Sequence, residues 1–141
     1  MDEGMCAEKI ALKDSDYADL ADFRAALRGF QAFSEAEAAE AGLTPQQHQV
    51  LLAIRGAEGQ KATVGFIAER LILKPHSASE LVNRLEALDL IVRSTDQQDK
   101  RRTVLMLTQQ GEAVLATLSN AHRQEIQRLK PMLVALLDRF G

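Results

Sequence analysis

Three consecutive cations, Lys100, Arg101 and Arg102, stand between two short β-rich runs, 90–95 and 103–107, on a polar connection that also holds Asp96, Gln97, Gln98 and Asp99. Cations on a turn suit phosphate oxygens, and arginine in particular suits a narrow minor groove. The same pattern fits an ordinary surface hairpin with solvated charges, so the cluster needs a second element to acquire meaning. Pro75 to Leu88, directly before the first run, supplies one. With helical periodicity, Ala78, Leu81, Val82, Leu85 and Leu88 form one apolar stripe; His76, Ser79, Glu80, Asn83 and Ala87 fall opposite it, with Ser77 and Arg84 at an edge. Hydroxyl, imidazole, amide and guanidinium groups gathered on one face are the groups that read base edges. Asn83 could pair with adenine, Arg84 with guanine or phosphate, and Glu80 with cytosine unless it caps the helix. A helix that feeds a basic hairpin is the outline of a winged helix.

The elements that must hold this head in place follow from periodicity and caps. Asp16 to Ala41 reads as a long first helix, with Tyr17, Leu20, Phe23, Leu27, Phe30 and Ser34 at three- and four-residue steps and Gly42 as its stop. Thr44-Pro45-Gln46-Gln47 restarts a helix: Thr44 caps it, Pro45 takes the first helical position and Gln47 closes a capping box. Val50, Leu51 and Ile54 give it an apolar face, and Gly56 and Gly59 end it. A third helix is expected over 64–72, and the fourth begins near Pro75 to Ser77, where Ser77 and Glu80 have the spacing of a second capping box. Thr108 caps a fifth helix over 109–129, Pro131 breaks it, and 132–140 forms a sixth. The expected fold is therefore mainly α with a small β-hairpin wing, a winged helix-turn-helix whose terminal helices form a dimerisation region.

Length and charge bound the function. The 141 residues suit a single domain, 1–141, with the winged lobe over 43–108 and dimerisation helices over 16–42 and 109–141. The first and fifth helices outrun a core of this size, so their apolar stripes, Leu115, Leu118, Ile126 and Leu129 among them, call for a second copy and a two-fold homodimer. Net charge is -3, but residues 1–42 carry ten acids against four bases, leaving an excess of cations over 43–141. That separation matters because phosphates respond to local potential within about a Debye length, ~8–10 Å. The longest apolar runs fall well short of the ~20 residues of a membrane span. An acidic start without a long apolar stretch is no secretory signal, and with one cysteine, Cys6, the expected location is cytoplasmic.

The residues converge on a family. The stretches LTPQQHQVL from Leu43, IAERL from Ile67, LVNRLEALDLIVR from Leu81, DQQDKR from Asp96 and LMLTQQG from Leu105 resemble the MarR-type transcriptional regulators, which are dimeric winged helix-turn-helix proteins. The wing signature, roughly D-P-x-D-R-R followed by V-x-L-T-x-x-G in that family, is specific. Gln97 departs from its proline, Lys100 from an arginine and Leu105 from a valine; His48 stands where a large aromatic is common. The resemblance implies that Asp99 helps fix the wing while Arg101 reaches toward the minor groove, beside Lys100 and Arg102 on the backbone. It also implies DNA-reading positions at His76, Ser77, Ser79, Asn83 and Arg84 on the fourth helix. Double-stranded DNA with a pseudo-palindromic operator is the implied partner, and ligand-responsive repression the implied function. The effector would be a small aromatic or anionic molecule in a cleft between the dimer base and the winged lobe, with Phe23, Phe30, Phe33 and His48 as conceivable lining.

Other readings are weaker. Cys6 precedes the first helix and sits among acids that raise a thiol pKa, which disfavours a redox switch. His48, His76 and His122 share no metal-ligand spacing, so neither metal nor cofactor is expected; His122, one turn from both Leu118 and Ile126, is expected in the dimer interface. No nucleophile elbow, phosphate loop or dinucleotide fingerprint points to an enzyme. The rival is a winged-helix module that binds protein partners without specific DNA recognition.

Overall fold

The computed structural model describes residues 10–57 and 61–141, and the readings attached to Cys6 and Gly59 lie outside them. The order is α1 (Asp14–Glu40), α2 (Pro45–Arg55), α3 (Val64–Leu71), α4 (Pro75–Ala87), β1 (Ile91–Thr95), β2 (Thr103–Leu107) and α5 (Gln109–Asp138). The strands form one antiparallel hairpin with Ile91 opposite Leu107 and Thr95 opposite Thr103. Just before α3, the Ala62 carbonyl accepts from Leu105 N–H at 2.8 Å, so this segment flanks β2 on its free edge.

Caps set most boundaries. Thr44 accepts from Gln47 N–H while the Gln47 side chain accepts from Thr44 N–H, the expected capping box, with Pro45 in the first turn. Thr63 caps α3 through Phe66 N–H at 3.1 Å. The box expected between Ser77 and Glu80 does not form. Helix α4 starts earlier, at Pro75 after Lys74, so Ser77 is already helical, and Glu80 faces His76 at 3.2 Å instead.

The other correction concerns Pro131. Rather than ending α5, it lies inside one continuous 30-residue helix, and the separate sixth helix does not exist. Proline in a helix interior forfeits a backbone bond at a cost of about 3 kcal/mol. Contacts beyond it offset that loss: Leu136 is buried, Phe140 packs edge-on against Phe23, and Arg139 meets Asp19 at 3.1 Å. These same contacts set α1 and α5 antiparallel.

One core joins the parts. Val50 and Leu51 of α2, Ile67 of α3, Val82 and Leu85 of α4, Ile91 and Leu105 of the hairpin and Leu118 of α5 are all buried against one another. Each such side chain contributes roughly 1.5–3 kcal/mol by leaving water. Far from this core, the outer stripe of α1 stays open: Tyr17 is 60% and Leu20 and Leu27 are each 45% exposed.

Candidate nucleic-acid interface

The apolar stripe of α4 is seated through Ala78, Val82 and Leu85, all fully buried. This turns the opposite face outward. His76, Glu80, Asn83 and Arg84 are exposed; Ser77 and Ser79 are half-buried at the margin. Helix α3 enters the turn before α4 through Ile72, whose φ of 55° lets Leu73 N–H close on Ala68 C=O at 2.8 Å. Two packed helices joined by so tight a turn make the α3–α4 unit a helix-turn-helix with α4 as its outward member.

Four side chains on that face are already engaged. The Arg93 guanidinium, reaching back from β1, donates to Asn83 Oδ1 at 2.8 Å and to Glu86 Oε1 at 3.0 Å. His76 and Glu80 pair one turn apart. Arg84 makes no ion pair among the described residues, so its guanidinium is available to a phosphate or a base.

At the hairpin tip, Asp99 Oδ1 accepts from Arg101 N–H at 3.1 Å and from Arg101 Nε at 3.3 Å, and the Arg101 side chain remains 93% exposed. The carboxylate thus holds the backbone N–H and the Nε edge of the guanidinium, while the side chain remains open to solvent. Lys100 and Arg102 are exposed beside it. The deeper anchor is Asp96, whose side chain is only 3% exposed. It accepts from Lys61 Nζ and from Gln98 N–H, which ties the base of the wing loop to the segment ahead of α3. The Lys61 hydrogen bond, then the Gln98 amide, holds the Asp96 carboxyl below the usual carboxylate range. Lys61, Arg93 and Asp96 were not singled out from sequence for these roles. Asp96 was visible as a turn residue, but its partner lies 35 positions away.

At the far end of the hairpin, the Thr108 hydroxyl donates to Asp89 C=O at 2.7 Å and accepts from Gly111 N–H at 3.0 Å. This locks the start of α5 to the exit of α4. It gives a physical reason for the threonine and glycine of the wing signature.

A second site lies between α1, α2 and α5. A cleft of about 680 Å³ is lined by Phe30, Ser34, His48, Leu52, His122 and Arg123, together with Ile126 and two glutamines. Of the expected lining residues, Phe30 and His48 are there. Phe23 is not; it packs against Phe140 near the end of α5. Phe33 touches His122 edge-on at 5.5 Å without lining the cleft. His122 is held by its own chain: Nδ1 donates to Leu118 C=O at 2.6 Å, which leaves Nε2 to accept from Ser34 Oγ at 2.7 Å. The His48 ring is tilted over it at 4.8 Å, and its Nδ1 is buried without a hydrogen-bond partner. Burial first, and the neighbouring His122 second, push the His48 pKa down.

Among the described residues no group of three or more His, Cys, Asp or Glu could hold a metal, and no helix is long and apolar enough to cross a membrane.

Comparison with known proteins agrees with this geometry. The MarR family model matches residues 41–102, from the end of α1 to the wing tip. The HTH-type transcriptional regulator SarZ of Staphylococcus aureus is 32% identical over 80 residues, which cover 57% of this chain and 53% of SarZ; the chain spans about half the length of the curated relatives it matches. YusO of Bacillus subtilis is similar in structure at 25% identity and a TM-score of 0.65, over 89% of this chain and 92% of YusO. A MepR variant of S. aureus bound to an oligodeoxyribonucleotide has the same fold at 22% identity and a TM-score of 0.68, over 89% of this chain and 98% of MepR. The segment similar to the MarR family spans the helix-turn-helix, the first wing strand and the wing loop, and the likeness in shape extends to the terminal helices.

Proposed function

We propose that this protein is a sequence-specific DNA-binding transcriptional regulator, a ligand-responsive repressor that acts as a homodimer on a pseudo-palindromic operator. The observation that carries the reading is the joint outward presentation of two elements from one rigid lobe: the polar face of α4 and the Asp99-held Arg101 at the wing tip. A helix of this kind fits the major groove, and a projecting arginine one strand-length away fits the adjoining minor groove. His76, Ser77, Ser79, Asn83 and Arg84 are the groove-facing set, and Lys100, Arg101 and Arg102 the backbone and minor-groove set. The oligodeoxyribonucleotide bound to the similar MepR supports DNA as the partner.

The homodimer follows from uncovered apolar surface. Leu20 and Leu27 on α1 and Met132, Val134, Leu137 and Phe140 at the other end of the chain are between 45% and 52% exposed. Exposed apolar side chains gathered on the terminal helices are the mark of a surface that meets a partner. A second copy covers it and places two α4 helices at a fixed spacing. The cleft at His48 and Phe30, apolar with Arg123 at its rim, is suited to a small apolar or anionic effector, whose binding would alter that spacing.

Fluorescence anisotropy of the protein on duplex DNA from upstream of its own gene, beside a shuffled duplex over a salt series, tests the reading. Selective binding to the former that weakens steeply with salt is expected, with Arg101→Ala weakening it broadly and Asn83→Ala altering preference at a few base positions. Equal, feeble binding to every duplex in a randomised pool would overturn it in favour of a protein-binding winged helix.

A further inference from the structure

We propose that Arg93 is a specificity-positioning residue, which holds the Asn83 amide so that α4 offers a base a hydrogen-bond donor and not a donor–acceptor pair. The proposal rests on the DNA-reading function above and names the regulation of one contact within it. Arg93 stands opposite Leu105 in the hairpin register, and because Leu105 is buried, both side chains leave the sheet on the side facing the core and α4. From there the Arg93 stem runs along α4, and its guanidinium bridges Asn83 and Glu86, which lie three residues apart on the outward face. A guanidinium has only donors. The atom of Asn83 that meets Arg93 Nη2 at 2.8 Å must therefore be the carbonyl oxygen, and the NH2 must point the other way.

This changes what Asn83 can read. Bidentate recognition of adenine requires the amide oxygen to accept from N6 while the NH2 donates to N7. With the oxygen engaged by Arg93, the NH2, which makes no hydrogen bond among the described residues, is the group left for a base. It then fits an acceptor edge, guanine O6 and N7 or thymine O4, and adenine loses the second half of its pairing. The same guanidinium neutralises Glu86, which would otherwise place an unpaired negative charge near the phosphates. Arg93 touches no base itself.

The test is selection from a randomised duplex library with wild-type protein, Asn83→Ala, Arg93→Met and Glu86→Gln, read by sequencing the bound fraction. Methionine keeps the apolar stem of Arg93 and removes its donors. The position whose preference disappears in Asn83→Ala is expected to be guanine or thymine in the wild type. Arg93→Met should shift that position alone toward adenine, by roughly fivefold or more, as a freed amide regains its second bond. Glu86→Gln should keep the wild-type base. In the DNA-free protein, the Asn83 side-chain amide resonances should move in Arg93→Met while the backbone spectrum reports an intact fold.

Four results would overturn the proposal: adenine at the Asn83-dependent position in the wild type, an unchanged base preference there in Arg93→Met, an equal shift in Glu86→Gln, or unmoved Asn83 amide resonances. A wild type that selects no motif would remove the DNA-reading function itself. A wild type that selects a motif insensitive to Arg93 would remove only this inference.

Discussion

Lys61 Nζ donates to Asp96 Oδ1, so a residue ahead of α3 fixes the loop end of a hairpin that follows α4. The wing is therefore not a free β-ribbon; it is tied at the buried Asp96 and again at the Leu105–Ala62 backbone bond. Asp96→Ala removes the Lys61 tie and the Gln98 turn bond together. We expect trypsin to cut after Lys100, Arg101 or Arg102 several-fold faster in that variant, because cleavage follows the population of opened hairpin. Lys61→Met should do the same to a lesser degree. Equal cleavage rates in Asp96→Ala and wild type would show that the strand pairing alone holds the wing.

Gly111 makes the closest backbone approach at the α5 start. A Cβ there would lie 2.1 Å from the Leu90 carbonyl oxygen, which already accepts from Thr108 N–H. No rotamer relieves a clash with backbone, so Gly111→Ala must push α5 away from the exit of α4. We expect a loss of about 1–3 kcal/mol, the range for overpacking a tight site, seen as a lower urea midpoint. Thr108→Val should lose less, since it removes the hydroxyl bonds to Asp89 and Gly111 without a clash. A Gly111→Ala midpoint within error of wild type would contradict the close approach.

Much of this architecture was legible in the sequence because its signals are local. Thr44, Pro45 and Gln47 announce a helix start within four residues, and the α4 stripe and the hairpin runs have the periods of a helix and a strand. Pro131 misled for the same reason: its local preference is to end a helix, and the contacts that overrule it come from α1, over a hundred positions earlier. The Ser77–Glu80 box failed because Pro75 is itself a better first-turn residue and starts the helix sooner. Site residues divide the same way. Outward positions on α4 follow from periodicity, whereas the Arg93 hold on Asn83 and the Lys61 hold on Asp96 depend on which elements the fold brings together. Phe23 has the helical spacing of Phe30 but sits at the other end of the α1–α5 pair, a distinction that spacing cannot make.

Three helix exits use the same left-handed closure, and only one is a glycine. Gly42, Ile72 and Asp89 have φ of 78°, 55° and 61°, and the next residue in each case donates back to a carbonyl five positions earlier. Aspartate tolerates this region; a β-branched side chain does so poorly. Ile72 is also 92% exposed, so its side chain contributes almost no packing to offset the strain. Ile72→Gly should therefore stabilise the protein by about 1 kcal/mol, after allowing for the greater entropy glycine carries in the unfolded chain. A rise in urea midpoint with unchanged slope is the expected reading. A fall would mean that Ile72 is covered in the assembled protein, which cross-linking from that position to the partner would then report.

His48 gives the fold a pH dependence of definite sign. Its ring is buried on the cleft wall, tilted over His122, with Arg123 at the cleft rim and an unpartnered Nδ1. Burial, followed by the His122 neighbour, holds its pKa below the ordinary histidine value of about 6.5. The unfolded chain therefore takes up a proton at a higher pH than the folded one. Stability is fully present above about pH 6.5 and declines as pH falls below it, levelling off once the folded pKa is passed. His48→Phe preserves an aromatic ring against His122 and abolishes the titration. We expect urea midpoints of the wild type to fall between pH 7.5 and 5.5, and those of His48→Phe to fall measurably less. Since His48 lines the same cleft as Phe30 and Leu52, a bound anion beside it would favour the protonated ring. Benzoate used as a simple aromatic anion should then stabilise the wild type more at pH 5.5 than at pH 7.5. Identical pH slopes in wild type and His48→Phe would assign the dependence to other groups and remove His48 from the account.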